Sequence, residues 1–132
     1  MTFSPAAADT ITAFLKETNT KPDDYDLILT GDLGLFGKEI MIELMKKNGF
    51  DISHIYNDCG CMIFYPEQTA PMGASGCGCA ATVFNGCIRQ ELLNGKVKNV
   101  ILAATGALLS PVSAFQGENI PSISYVINFR RV

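Results

Sequence analysis

The stretch Tyr25-Asp-Leu-Ile-Leu-Thr-Gly-Asp-Leu-Gly34 decides the fold class of this 132-residue chain. Its first six residues form a short apolar run between turn signals, which is typical of a buried parallel strand. Gly31–Gly34 then makes a sharp turn into a segment whose apolar residues recur at helical spacing. The expected buried face of that helix comprises Ile40, Met41, Leu44 and Met45. A strand that leads directly into a helix predicts an α/β fold.

Segments on either side continue the alternation of helices and strands. Ser4 and Pro5 have the residue types of an N-cap and a first helical position, which predicts a helix at the start of the chain. Further elements are predicted as follows: extended pieces at Asp51–Tyr56 and Cys61–Tyr65 around a turn at 57–60, a helix at Cys77–Leu93, and strands at Val97–Ala104 and Ser122–Phe129. We therefore expect one domain over residues 1–132, with a mostly parallel or mixed sheet flanked by helices and sites at the carboxyl ends of its strands.

A glycine-rich loop precedes the predicted third helix, in the sequence Met72-Gly-Ala-Ser-Gly-Cys-Gly-Cys-Ala-Ala-Thr-Val-Phe84. Backbone N–H groups at the start of a helix point toward one spot, which suits an anion or a developing oxyanion. The candidate binding residues in this loop are Gly76, Cys77, Gly78 and Cys79. The helix that follows is apolar around most of its circumference, so we expect it to be buried on all sides.

Composition and charge exclude several classes of protein. Charged residues make up 17% of the chain and hydrophobic residues 48%, so we expect much of its surface to be covered. A net charge of −3 and a pI near 5.0 provide no basic patch for nucleic acid. The apolar runs are shorter than a membrane crossing requires, and no secretory signal pattern opens the chain. We therefore expect no nucleic-acid partner, no transmembrane segment and no secretion.

The five cysteines are an odd set and do not indicate a disulfide framework. Their two Cys-x-Cys pairs are closer than the two to four intervening residues that structural zinc sites prefer. We expect small buried thiols and no metal or cofactor. A reactive thiol at Cys77 is the alternative, because a helix N-terminus favours the thiolate. His54, the single histidine, lies in a strand-like piece without an evident partner.

Four motifs carry a resemblance to a known family. They are Asp26-Leu-Ile-Leu-Thr-Gly-Asp-Leu-Gly34, Asn57-Asp58-Cys59-Gly60, Gly76-Cys-Gly-Cys-Ala-Ala81 and Ala104-Thr-Gly-Ala-Leu-Leu-Ser-Pro111. In order and spacing they resemble the C-terminal half of the thiolase superfamily. Within that superfamily, nearly the whole chain is similar to thiolase-like sporulation proteins of endospore-forming bacteria. The resemblance implies a layered, thiolase-like half domain, the C-terminal one of two.

The resemblance also locates two catalytic positions of the condensing enzymes in this superfamily. In those enzymes the strand corresponding to Tyr25–Thr30 ends in a catalytic histidine, where this chain has Gly31. Their catalytic asparagine follows a glycine before the buried helix, where this chain has Cys77 after Gly76. Glycine supplies no side chain and a thiol is a weak donor, so the resemblance predicts a protein that is not an enzyme. A degenerate acyl-thioester enzyme that uses a cysteine is the alternative.

The resemblance implies a ligand as well. The sporulation proteins in question bind pyridine-2,6-dicarboxylate (dipicolinate, the anion of dipicolinic acid) and help to move it into the forming spore. We therefore expect dipicolinic acid or its calcium chelate to bind at the loop residues above and at Gly31 and Asp32. Asp32 opposes an anion unless calcium bridges the two or the carboxylate is directed at the backbone. Lys38 and Arg89 are candidates for distant positive charges near the ligand, but we expect both to face solvent.

The expected partners follow from the half length that the resemblance implies. Members of the superfamily contain two similar halves, so the second face of the predicted helix 77–93 would be exposed in one half alone. We expect a homodimer or pairing with an N-terminal half, together with other subunits of a spore membrane transport assembly. The expected location is the cytoplasm or the periphery of the forespore or spore inner membrane. An architectural subunit of that assembly, without a ligand, is a further alternative.

Overall fold

The computed structural model describes residues 3–65, 67–68, 73, 76–107 and 110–132, without the side chains of residues 113 and 114. In these residues, four strands form one mixed sheet: β1 (Leu27–Thr30), β2 (Tyr56–Asp58), β3 (Asn99–Ala107) and β4 (Ser122–Arg130). The strand order is β2-β1-β3-β4, with β1 parallel to β2 and β3 and with β4 antiparallel to β3. The predicted α/β fold with a mixed sheet is confirmed.

Helices cover both faces of the sheet. They are α1 (Phe3–Glu17), α2 (Gly34–Lys47), α3 (Cys59–Met62), α4 (Cys79–Val83), α5 (Arg89–Asn94) and α6 (Pro111–Phe115). A π-helical turn at Phe84–Ile88 joins α4 to α5, so residues 79–94 form one helical segment. None of the helices in the described part of the chain combines the length and the apolar character that a membrane crossing requires.

Alternation along the strands divides the core between the two faces. Ile28 and Ile101 are fully buried on the face that α1 and α2 cover, where Met41 and Met45 of α2 are also fully buried. Leu29 and Val100 point to the opposite face and pack with the residues of α4 and α5. The core role predicted for Met41 and Met45 is thereby confirmed, whereas Ile40 on the same predicted stripe is 44% exposed.

The first helix is present, but Ser4 has a different role from the predicted N-cap. Ser4 lies inside α1 and is buried, and its hydroxyl donates a hydrogen bond to the carbonyl oxygen of Gly37 at 3.1 Å. A Cβ atom at Gly37 would lie 2.6 Å from the Cβ of Leu33, the N-cap residue of the same helix, so a side chain at position 37 would clash there. Ser4 therefore links α1 to α2 and does not cap its own helix.

Two further predictions about the elements are wrong. The expected extended piece at Cys61–Tyr65 begins inside the single helical turn of α3 instead, and of the piece Asp51–Tyr56 only Tyr56 enters a strand. The predicted helix 77–93 packs on the sheet with one side only, as expected for one half alone. Its other side is exposed, at Ala81, Thr82, Asn85, Gly86 and Cys87. One helix on a sheet has no second layer to cover its outer surface.

Candidate functional site

A cavity of about 400 Å³ opens at the carboxyl ends of the neighbouring parallel strands β1 and β3. This edge of an open α/β sheet is where ligands commonly bind. Four of the six residues predicted from the sequence line it: Gly31, Asp32, Gly76 and Cys77. The structure therefore brings the turn after β1 and the glycine-rich loop before α4 together at one place.

A buried carboxylate fixes the turn after β1. Asp58 is fully buried, and one of its oxygens accepts a hydrogen bond from the Thr30 hydroxyl at 2.6 Å. The amides of Leu33 and Gly34 also donate to Asp58, at 3.0 to 3.1 Å. Gly34 has a φ of +73°, which favours glycine at the start of α2. Asp58 thus holds both ends of the segment that carries Gly31 and Asp32 into the cavity.

The Asp58 network continues to Tyr56 of β2. The Tyr56 hydroxyl lies 2.7 Å from Thr30 Oγ1. Burial raises the pKa of the Tyr56 phenol, although its hydrogen bond with Thr30 opposes that shift. The group is therefore a neutral hydroxyl near neutral pH, and it orients Thr30.

Asp32 joins the turn to the glycine-rich loop. Its Oδ2 atom accepts a hydrogen bond from the Gly76 amide at 3.1 Å. A Cβ atom at Gly60 or at Gly73 would collide with Asp32 Oδ1, and Gly73 also has a φ of +82°. The backbone of Gly60, Gly73 and Gly76 therefore surrounds this carboxylate. The carboxylate of Asp32 is directed at the backbone, which is one of the two arrangements considered above for an aspartate beside an anion.

The glycine-rich loop leads into α4 through two turns of backbone hydrogen bonds. The Cys79 amide donates to the carbonyl of Gly76, and the Thr82 amide donates to the carbonyl of Gly78. Within the described part of the chain, the amide of Cys77 has no hydrogen-bond acceptor, and Cys77 lines the cavity. Its N–H group is therefore available to a ligand oxygen.

Two of the predicted site residues do not line the cavity. Gly78 is exposed at the helix start with open space around it, and Cys79 is buried in the core between α4 and the sheet. The other six described residues that line the cavity were not predicted from the sequence. These are Phe3, Ala80, Ala104, Thr105, Gly106 and Ala107. Four of them form the end of β3, which the rule about strand ends could have identified.

Charge at the cavity is negative. Asp32 is the one charged residue among the described residues that line it. Lys38, expected to face solvent, is partly buried instead and donates a hydrogen bond from Nζ to Asn57 Oδ1 at 2.8 Å. Arg89 lines a different cavity. The positive charge that a free dianion needs is therefore absent from the described lining of this cavity.

The thiols differ in their exposure. Desolvation raises the pKa of Cys59 to about 12 and that of Cys79 to about 11, so both are protonated at neutral pH and buried. Cys77 and Cys87 are exposed. No three metal-ligating side chains converge on one point within residues 3–65, 67–68, 73, 76–107 and 110–132. The accessible thiol at the cavity is that of Cys77.

His54 has a partner, contrary to the expectation from the sequence. Its Nε2 atom lies 2.9 Å from Asp23 Oδ1, and both side chains are largely exposed. The two residues are 31 positions apart, so the contact arises only when the chain folds. Neither residue lines the cavity at the strand ends.

The fold and the cavity define a class of protein. A four-stranded mixed sheet with helices on both faces and a strand-end cavity is an α/β domain, compatible with a thiolase-like half domain. Comparison with known proteins identifies the family. The model of the family "Stage V sporulation protein AD (SpoVAD)" matches residues 1–130, and the chain belongs to this family of sporulation proteins.

A relative of the same name agrees with this assignment. The chain is 44% identical over 128 residues to the stage V sporulation protein AD of Bacillus subtilis (strain 168). The match covers 97% of this chain and 38% of that relative. The chain therefore spans less than half the length of the relative that it matches. The name of the family refers to sporulation and to no enzymatic reaction.

Proposed function

We propose that this chain is the dipicolinate-binding half of a non-catalytic sporulation protein and supports uptake of dipicolinate into the forespore. One observation carries the proposal: the turn at Gly31 and the loop at Gly76 and Cys77 share one cavity of about 400 Å³. That volume suits a small ligand. Membership of a sporulation family supports a ligand that belongs to spore formation.

The charge of the cavity favours the calcium chelate over the free acid. Dipicolinate is a flat dianion, and a dianion beside Asp32 meets repulsion that no lysine or arginine in the described lining offsets. Calcium prefers oxygen ligands, which the two ligand carboxylates and Asp32 would supply. The amide of Cys77 would then donate to one ligand carboxylate. Calcium enters here as part of the ligand, because the described residues form no metal site of their own.

Pairing with a second half is part of this proposal. Three side chains on one face of β4 are 52%, 66% and 51% exposed, namely those of Ile123, Tyr125 and Ile127. They lie on the same side of the sheet as the exposed face of the 79–94 helix. Apolar surface of this kind marks an interface. A second copy or an N-terminal half would cover it, and other subunits of a spore membrane transport assembly would hold the protein at the inner membrane.

Calorimetric titration tests the ligand. The folded chain is titrated with dipicolinate in the presence and absence of calcium, with benzoate and calcium alone as controls. We expect saturable binding that calcium strengthens and that Gly76→Val weakens by about tenfold or more, which is ~1.4 kcal/mol. Gly76 lines the cavity, and a Cβ there meets no other atom within 4 Å, so the added bulk occupies cavity space without a clash.

The matched control is Gly78→Val. Gly78 is two positions away in the same loop, has equally open surroundings and lies outside the cavity lining. Its affinity should equal that of the wild type. Equal weakening by both variants, or no heat of binding in a folded sample, would contradict the proposed site, and the second result would favour an architectural subunit.

An acyl-thioester enzyme is the competing function, and the exposed thiol of Cys77 in the lining is the observation that favours it. The described lining contains no histidine, and its one carboxylate, that of Asp32, accepts the Gly76 amide. The described lining therefore offers no histidine that could act as a base and activate the thiol of Cys77. Incubation with acyl-coenzyme A followed by intact-mass measurement decides the matter. An unchanged mass agrees with a binding protein, and an acyl adduct on Cys77 would support the enzyme.

A further inference from the structure

The three arginines of the chain line one open groove, and Arg130 also lines a second cavity on the α1 side of the sheet. Arginine occurs only at positions 89, 130 and 131, and all three residues line a cavity of about 590 Å³ beside α5 and the end of β4. We call it the arginine groove and define it by Phe84, Arg89, Leu93, Phe129, Arg130 and Arg131. It shares no residue with the cavity at the carboxyl ends of β1 and β3.

The interior of the arginine groove is apolar. The rings of Phe84 and Phe129 pack with their centroids 4.2 Å apart and tilted by 34°. Leu93 beside them is 55% exposed. A large exposed leucine next to an aromatic pair is a site where another apolar side chain gains contact.

The guanidinium groups are not neutralised within the described part of the chain. The ion pairs there are those of His54 with Asp23 and of Lys96 with Glu91. Arg131 lies against Gly95, the left-handed C-cap of α5, where a Cβ would collide with its guanidinium. The backbone of Arg131 is held by a hydrogen bond from its amide to the Lys98 carbonyl. The arginine groove therefore presents exposed planar donors, which match carboxylates better than lysine would.

We propose that the arginine groove docks an acidic segment of a partner protein, in which an apolar side chain is flanked by carboxylates. The apolar side chain would rest on Phe84 and Leu93, while the carboxylates would pair with the guanidinium groups. Charge complementarity selects this occupant. A bilayer fits less well, since the arginines surround a concave surface and the chain carries a net charge of −3.

Fluorescence anisotropy with a synthetic peptide tests the proposal. The probe is a labelled twelve-residue peptide with one phenylalanine and one leucine at its centre and glutamates on both sides. We expect saturable binding with a dissociation constant of about 100 μM or lower that weakens as salt is raised. A peptide with lysine in place of glutamate, or with serine in place of the two apolar residues, should bind about tenfold more weakly or not at all.

Charge reversal on the protein provides the matched pair of variants. Arg89→Glu should lower the affinity by about tenfold or more, whereas Lys47→Glu, an exposed site on α2 with the same change of charge, should alter it less than about twofold. Circular dichroism establishes that both variants fold. Equal effects of the two variants, or no saturable binding of the acidic peptide, would overturn the proposal. Arginine-dependent binding to phosphatidylglycerol vesicles without peptide binding would also overturn it, in favour of a membrane surface.

Discussion

The Oδ2 atom of Asp32 accepts a hydrogen bond from the amide of Gly76 at 3.1 Å, across 44 positions of the chain. This contact joins the turn after β1 to the glycine-rich loop before α4, and both segments line the strand-end cavity. Because Asp32 is also the charged residue of the described lining, one carboxylate both shapes the cavity and sets its charge.

Replacement of Asp32 separates these two roles. Asp32→Asn keeps an oxygen that can accept the Gly76 amide but removes the negative charge. We expect binding of calcium-free dipicolinate to strengthen and the gain from calcium to shrink, because both effects depend on that charge. Calorimetric titration of both proteins with and without calcium measures the change. An undiminished calcium effect in the variant would show that Asp32 does not contact the ion.

Asp58 should contribute strongly to stability. Its removal in Asp58→Ala leaves the buried amides of Leu33 and Gly34 without acceptors. Unsatisfied buried donors are costly, and we expect the free energy of unfolding to fall by about 2–4 kcal/mol. Urea denaturation measures the loss. The control is Asp9→Ala, an exposed carboxylate on α1, which should leave stability nearly unchanged; an equal effect of both variants would contradict the role of Asp58.

Stability should fall in alkaline solution because of two buried thiols. Desolvation raises the pKa of Cys59 to about 12 and that of Cys79 to about 11, from an ordinary value of 9.0. Above pH 9 the unfolded chain loses these protons before the folded one, so their stabilising contribution is present below pH 9.0 and is lost toward pH 11 to 12.

Urea denaturation at a series of pH values from 8 to 11 would show this slope, since that range begins below the ordinary pKa of 9.0 and reaches the raised pKa of Cys79 at about 11. Cys59→Ala removes one of the titrating groups and should make the slope shallower. The matched variant Cys87→Ala changes an exposed thiol and should leave the slope as it is. A slope that is the same in all three proteins would show that other groups cause it.

The exposed face of β4 predicts association. Tyr125 is 66% exposed and Ile127 is 51% exposed on the side of the sheet where the 79–94 helix lies. Tyr125→Glu places a charge in that apolar face and should shift a dimer toward the monomer in sedimentation velocity. Lys16→Glu, at an exposed residue of α1 on the other side of the sheet, is the control. A monomeric wild-type chain, or a dimer indifferent to Tyr125→Glu, would contradict this interface.

Local pattern was sufficient to predict β1, β3 and β4 of the sheet, but not β2. The apolar run before Gly31 and the turn into α2 appear where they were expected, because a buried strand and a glycine-initiated helix are specified by adjacent residues. The end of β3 was placed at Ala104, yet the strand continues to Ala107. Pairing of Ala107 with Ser122 of β4 extends it, and such pairing is not visible in a local window.

Contacts between distant residues explain the other differences. The role of Ser4 depends on the Gly37 carbonyl, and the partner of His54 lies 31 positions away. For the candidate site, the helix-start rule identified the loop, but it did not show which of the four candidate residues in that loop line the cavity. Gly76 and Cys77 do so, whereas Gly78 is exposed outside it. That distinction requires the position of the loop relative to β1 and β3.

Alkylation of Cys77 relative to Cys87 tests the central claim most directly. Both thiols are exposed, and only Cys77 lines the strand-end cavity, so Cys87 is an internal reference within the same molecule. The protein is treated with iodoacetamide with and without calcium dipicolinate, and the labelling rate of each thiol is measured by mass spectrometry. We predict that the ligand slows labelling of Cys77 by about tenfold, as expected for a largely occupied site, and leaves Cys87 unchanged. Equal rates at Cys77 with and without saturating ligand would contradict the account.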